Sequence, residues 1–383
     1  MKIAASLSIS LLLAACASAL PMPSPEALFH DELFEAPSAP INPDEALAVS
    51  AEMRHYIATR LVGRSRFDDP RRQLFDALYR KDKLRLEYDA AVTRTAAQAF
   101  EARTGNCLSL VMMTAAFAKE LGLTVHYQVA HDDATWDRSG DIYLLVGHVN
   151  LVLGGRPSQF GANATERDSM TIDFLPSRNA PALHTREIQE RTIMAMYLNN
   201  RAVEELTSGR LSDAYAWARE AIRKDPEFPG AYLTLGVVYR NLHHPGLADI
   251  ALRQVTDREP NNTMALSNRA LVLRDLGRHA EADVLTQRLA RLDPHPPFSY
   301  FHQGLAALRE RRLDAALALF TKEVDRAPYQ HEFQFWLAIT YLELHDPQRA
   351  AEHLSQAMEA STTRKDRALY AAKLDRLKAL ALQ

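Results

Sequence analysis

The stretch Ala214-Tyr215-Ala216-Trp217-Ala218-Arg219-Glu220-Ala221-Ile222-Arg223-Lys224-Asp225-Pro226 decides the fold of half the chain, because its punctuation returns downstream. Pro226 is followed by Pro260, Pro294 and Pro328, each 34 residues on. Ala214 is followed at the same interval by Ala248, Ala282, Ala316 and Ala350. A second small-residue phase runs through Ala202, Gly236, Ala270, Gly304 and Ala338. Proline lacks the N–H that would continue a helix, so each one marks a stop. Small residues at fixed phases let two helices cross closely. A unit of this size cannot bury its apolar face alone, so the spacing predicts a stack of helical hairpins.

This pattern resembles the tetratricopeptide repeat. It predicts five repeats over residues 191–360 and a capping helix over 361–383, where Tyr370, Leu374, Leu377 and Leu380 supply the apolar face. In arrays of this family the first helix of each repeat builds a concave face that takes protein or peptide. The resemblance places Arg240 and Arg274 there at one phase, with Arg309 one position on, beside Asn199, Asn241 and Phe301. These arginines are candidates for binding an acidic or C-terminal peptide, although a solvated surface accounts for such charges equally well.

The 383 residues call for more than one domain, and 47% hydrophobic with 24% charged residues is the balance of a folded globular chain. A formal charge of −3 argues against a nucleic-acid surface. The N-terminus reads as an export signal over 1–15, with Lys2 ahead of a short apolar run from Ile3 to Leu13. Leu13-Ala14-Ala15-Cys16 resembles the lipobox of bacterial lipoproteins, which implies cleavage before Cys16 and acylation of its thiol. An ordinary signal peptide cut after Ala17 or Ala19 is the alternative. By the same resemblance, Ala17 and Ser18 lack the aspartate of inner-membrane retention, so an outer-membrane anchor facing the periplasm is expected. Six prolines with many alanines and serines over 16–44 predict a flexible tether. Asp44 is placed to cap a helix through Met53 and Leu61.

Between tether and repeats, residues 45–190 have another character. An apolar run from Leu108 to Ala118, closed by Gly122, predicts a buried helix. Val125–Val129, Ile142–Leu153 up to Gly154-Gly155, and Thr171–Phe174 read as strands. Helices first and strands after make an α+β domain. The chain has two cysteines, Cys16 and Cys107. If Cys16 carries lipid, Cys107 is a lone thiol in an oxidising compartment, and such a thiol is either buried or used. Gly105 supplies a turn, Asn106 an N-cap, and Cys107 falls in the first helical turn. There the helix dipole favours a thiolate and free N–H groups can face an oxyanion. A small buried residue opening a core helix is the plainer account.

Arg103-Thr104-Gly105-Asn106-Cys107-Leu108 resembles the nucleophile motif of the transglutaminase-like superfamily, in which Arg-x-Gly-x-Cys opens the central helix. Tyr88-Asp89 and Thr93-Arg94-Thr95-Ala96 look like the lead-in of bacterial lipoproteins in that group. The superfamily places a histidine and an aspartate downstream on adjacent strands, and the chain offers Gly147-His148-Val149-Asn150 and Ile172-Asp173-Phe174. The resemblance implies an α+β, papain-like fold with Cys107 as nucleophile, His148 as general base and acid, and Asp173 as the orienting carboxylate. A core histidine and a turn-opening aspartate are the plainer accounts of the last two. His126, His131, Asp132 and Asp133 have no convincing metal-ligand spacing, and Trp136 is a candidate for lining a cleft. No phosphate-cradling or dinucleotide motif appears, so no metal and no cofactor is expected. The expected function is hydrolysis or transfer at amide or acyl groups of peptides or proteins, with the repeats holding a partner. The alternative is an interaction scaffold in the cell envelope whose catalytic-looking domain is inactive.

Overall fold

The computed structural model describes residues 24–61, 69–80, 83–84, 86–90, 92–130, 135–139, 142–146, 148–154, 169–174, 185–328, 330–361 and 363–381. The expected signal over 1–15 and Cys16 lie outside the described residues, as do His131, Asp132 and Asp133.

Residues 24–47 are not the tether that their composition suggests. They form three short 3-10 turns, Pro25–Leu28, Asp31–Leu33 and Pro43–Leu47, laid as a strap along the repeats. Leu28 is buried, and its carbonyl accepts a 2.6 Å bond from the Tyr239 hydroxyl. Phe34 stacks on Tyr215 at 3.9 Å between ring centres. Asp31 takes the Tyr215 hydroxyl and the Arg219 guanidinium, which hold its carboxyl below the usual range. The segment is ordered here because its apolar side chains, Leu28, Phe29, Leu33, Phe34 and Leu47 among them, pack on the shared core. Asp44 does not cap the following helix: Asn42 caps the third turn, and Ser50 caps α1 (Ala51–Tyr56). A wider-wound turn, Ile57–Leu61, continues α1.

After α2 (Pro70–Tyr79), strand β1 (Glu87–Tyr88), α3 (Ala96–Ala102) and β2 (Thr104–Gly105) lead into α4 (Cys107–Glu120). Every residue from Cys107 to Ala118 is buried, so α4 is the axis of the domain. Its end follows the sequence reading: Gly122 adopts φ +74°, and its N–H bonds the Lys119 carbonyl. Strands β3 (Thr124–Ala130), β4 (Thr135–Ser139), β5 (Ile142–Val146), β6 (Val149–Gly154), β7 (Met170–Ile172) and β8 (Thr185–Ile188) follow. The single strand expected over Ile142–Leu153 is therefore two. β5 pairs with β4 as a hairpin, whereas β6 joins an antiparallel sheet of order β7-β6-β3-β8. Val149, Leu151, Leu153 and Ile172 are fully buried there.

The repeats are five helical hairpins: α5 (Glu190–Thr207) with α6 (Leu211–Lys224), α7 (Pro229–Asn241) with α8 (Pro245–Arg258), α9 (Thr263–Asp275) with α10 (His279–Leu292), α11 (Ser299–Arg309) with α12 (Leu313–Arg326), and α13 (His331–Glu343) with α14 (Pro347–Ala360). The cap is α15 (Arg364–Ala381). Helices α6, α8, α10 and α12 end two residues before Pro226, Pro260, Pro294 and Pro328. A Cβ on Gly236 would meet Leu252 at 2.7 Å, and one on Gly304 would meet Phe320 at 2.7 Å, so these glycines permit the helix crossing. One buried core runs from Leu28 through α4 and the sheet to Val272 in α9, so the expected boundary at 190/191 separates sequence patterns rather than cores.

Candidate functional site

Two backbone features set the entry to α4. Arg103 occupies the left-handed region at φ 53°, so the turn is made there and not at Gly105. Gly105 serves another need: a Cβ on it would come within 2.8 Å of the Ser109 Cβ. Asn106 is the N-cap, its side-chain oxygen accepting the Ser109 N–H at 2.9 Å. Cys107 is thus the first helical residue, is 6% exposed and is not in a disulfide.

The sheet brings the other two candidates together. Leu151 faces Ile172 in the antiparallel pairing of β6 and β7, so the residues just before Leu151 lie alongside those just after Ile172. His148 Nε2 donates to Asp173 Oδ2 at 2.9 Å, and the Asn150 amide donates to the same oxygen at 3.4 Å. Burial works against a charged His148 ring, but the Asp173 bond and the nearby Cys107 side chain more than offset it. The imidazole pKa is raised to about 9. The remaining ring nitrogen, Nδ1, has no partner at hydrogen-bond distance, so its approach to the thiol is longer than a made bond. The three candidates Cys107, His148 and Asp173 therefore share one neighbourhood.

Two unsatisfied atoms, on His148 and Asn150, mark the same place. Among the described residues, the buried side-chain polar atoms without a hydrogen-bond partner are Thr104 Oγ1, His148 Nδ1 and Asn150 Oδ1. Thr104 is three residues from Cys107, and Asn150 touches Asp173. An unmet buried polar atom is costly, and its retention calls for a use.

Sequence reading missed Asn150 and Tyr79. Asn150 had a signal, an amide inside the apolar run Val149-Asn150-Leu151. Tyr79 had none, because it reaches the site from α2: its hydroxyl donates to the Asp173 carbonyl at 2.5 Å and accepts the Asp173 N–H at 3.2 Å. Burial raises its own pKa to about 12, so it stays a neutral donor. His126 pairs with Glu187 at 2.8 Å. Trp136 lies on β4, in the hairpin separate from the four-stranded sheet.

Two of the repeat arginines are paired with acids of the same chain. Arg240 bonds Asp275 at 2.5 Å, and Arg274 bonds Asp283 at 3.2 Å. Both pairs lie at the surface, with the arginine side chains 40% and 51% exposed. Arg309 is the exposed last residue of α11.

A family model described as the tetratricopeptide repeat matches residues 233–295, 283–331 and 301–365. No curated protein matches the chain. Solved structures similar to it include YrrB, titled a TPR protein with an unusual peptide-binding site, 23% identical over 47% of this chain and 92% of that one, with a TM-score of 0.26. A thermophilic TPR protein of Thermus thermophilus is 18% identical over 47% and 98%, with a TM-score of 0.30. PilF of Pseudomonas aeruginosa is 20% identical over 49% and 94%, with a TM-score of 0.28. The C-terminal array is a tetratricopeptide-repeat solenoid, an architecture of protein–protein interaction.

Proposed function

We propose that the chain is a cysteine-dependent amide hydrolase or acyltransferase of transglutaminase-like fold, whose repeats hold a protein or peptide partner. The observation that carries this reading is the placement of His148 between Asp173 and Cys107. Its Nε2 is spent on the carboxylate at 2.9 Å, and its other nitrogen is left unbonded in a buried site. Spending one nitrogen on an orienting acid and keeping the other for a nucleophile is what a general base requires.

In the proposed cycle the neutral form of His148 takes the Cys107 proton at Nδ1, and Sγ attacks the carbonyl carbon of an amide. The N–H groups opening α4 receive the developing oxyanion. As the C–N bond breaks, the imidazolium returns its proton to the leaving amine, and a thioester remains on Cys107. Water then releases an acid, or a second amine forms a new amide, with His148 again carrying the proton. Asp173 keeps the ring oriented and offsets its charge without itself gaining a proton. Tyr79 holds Asp173 by its backbone, and every proton in the cycle is carried by the chain's own residues.

The envelope setting belongs to the same proposal: Cys16 acylated, and the protein on the outer membrane facing the periplasm. Cys16→Ala should abolish partition into detergent, whereas an unmodified mature N-terminus at Ser18 or Leu20 would refute the anchor.

A scaffold without chemistry is the second reading, favoured by the burial of Cys107 at 6% exposure. Labelling of the folded full-length protein with iodoacetamide, read by intact mass, separates the two. The catalytic reading predicts single modification of Cys107 under native conditions. Modification only after denaturation supports the scaffold.

A further inference from the structure

The cap that presents Cys107 is held from outside its own domain. Asn106 Nδ2 donates to Thr93 Oγ1 at 2.9 Å, while Asn106 Oδ1 accepts both the N–H and the hydroxyl of Ser109, at 2.9 and 2.8 Å. Ser109 Oγ in turn accepts the Arg94 N–H at 2.8 Å. Thr93 is 3% exposed, and it is fixed by the first helix of the repeats. Its N–H donates to Glu204 Oε1 at 2.7 Å, and Asn200 Nδ2 reaches Thr93 Oγ1 at 3.4 Å. Arg201 holds the other Glu204 oxygen at 2.5 Å. The chain of contacts runs α5, Thr93, Asn106, Cys107 without a break.

We infer that Glu204 is a positioning residue for Cys107: the first repeat, through Thr93, fixes the Asn106 cap and thereby the place of the thiol. The inference rests on the proposed role of Cys107. Each link has one satisfied geometry. Thr93 Oγ1 accepts from both amides, so its lone pairs face Asn106 and Asn200 while its N–H is held by Glu204. An Asn106 amide with no acceptor would rotate toward another one and carry the cap oxygen off the Ser109 N–H. The first turn would then loosen, and a nucleophile misplaced by even a fraction of an ångström loses rate. Glu204 is thus the place where the repeats touch the chemistry. An interaction array and a reactive thiol in one chain would be joined by this contact.

The test is the rate of Cys107 alkylation by iodoacetamide in the folded full-length protein. Glu204→Ala should slow it about five- to tenfold, the scale of a lost cap. Glu204→Gln keeps an acceptor for the Thr93 N–H and should restore the rate to within about twofold. Glu205→Ala is the control, since Glu205 is equally in α5 but pairs with Arg201 and Arg210 and not with Thr93. It should lower the melting temperature and leave the rate alone. Thr93→Val keeps the shape but removes the oxygen that receives Asn106, and should slow labelling as Glu204→Ala does. It carries the test if Glu204→Ala fails to fold. Equal slowing by Glu204→Ala and Glu205→Ala, or a wild-type rate in folded Glu204→Ala or Thr93→Val, would overturn the inference. His148→Ala is run beside them. If it leaves the rate unchanged, the functional reading itself has failed. If it slows labelling while the relay variants do not, the relay alone has failed.

Discussion

The Nε2 atom of His148 lies 2.9 Å from Oδ2 of Asp173, across the pairing of β6 and β7, with the histidine side chain 3% exposed and the carboxylate 32% exposed. An acid at the rim and a base inside is an arrangement in which the charge of one supports the charge of the other. It also has a consequence for stability. The imidazole pKa is raised from 6.5 to about 9, so folding gains from the protonated ring. The gain is fully present below the unfolded value of 6.5 and is lost as pH rises through about 9. One unit corresponds to about 1.4 kcal/mol, so the effect is on the order of 3 kcal/mol.

Asp173→Asn should therefore bring the His148 titration, followed by NMR of the labelled imidazole, back toward the ordinary range. It should also flatten the loss of stability between about pH 7 and about pH 10. Denaturant melts of both proteins across that range check the sign. A wild-type protein that gains stability as pH rises there would contradict the buried, charged pair.

Gly236→Ala and Gly304→Ala should each destabilise the array by about 1–3 kcal/mol through overpacking. The added methyl would sit 2.7 Å from Leu252 in the first case and 2.7 Å from Phe320 in the second. Both neighbours are fully buried and cannot swing aside. Urea melts followed by circular dichroism provide the measurement, and neutral substitutions would mean that the hairpins cross more loosely.

The strap predicts a third result. Leu28→Ala should cost about 2–4 kcal/mol, as for any large side chain removed from a packed core. Phe34→Ala should cost less, because its ring is only partly buried on Tyr215. Hydrogen exchange in α6 and α7 should rise in both variants. Unchanged protection there would restore the tether reading for residues 24–44.

A fourth follows from the array. The core shared with the α+β domain reaches Val272, and a separate core begins at Phe298. Between them, α10 buries only Ala282. Helix α11 has 11 residues where α7 and α9 have 13, because Pro297 and a left-handed Phe298 at φ 64° occupy its expected first two positions. Fully buried Glu323 then serves the shortened helix by accepting the N–H groups of Tyr300 and Phe301 at 2.9 and 3.2 Å. Residues 298–381 should exchange amide protons with a free energy of their own, and a chain ending at residue 292 should keep its Cys107 labelling. A single cooperative opening of all five repeats would refute the division.

The repeats were legible because their signals are local and repeated: a small residue at each crossing, and a proline two residues past the end of α6, α8, α10 and α12. The Cys107, His148 and Asp173 candidates were legible from motif and chain order. What remained hidden depends on contacts between distant segments. Leu28 finds Tyr239 across 211 residues, and Thr93 finds Glu204 across 111, neither with any local pattern to announce it. The ion pairs of the arginine phase were hidden for the same reason. Period 34 aligned Arg240 with Arg274, but their acidic partners, Asp275 and Asp283, fall at different offsets. The turn at Arg103 was assigned to Gly105 because glycine is the usual occupant of such conformations, whereas the glycine is needed for space.

The pH profile of Cys107 alkylation, compared between the wild-type protein and His148→Ala, tests the central claim most directly. If His148 serves Cys107 as its base, the wild-type rate should exceed that of His148→Ala throughout the range from about pH 6 to about pH 8, by at least about tenfold at the lower end. Superimposable profiles for the two proteins, or no labelling of either until the chain unfolds, would contradict the account.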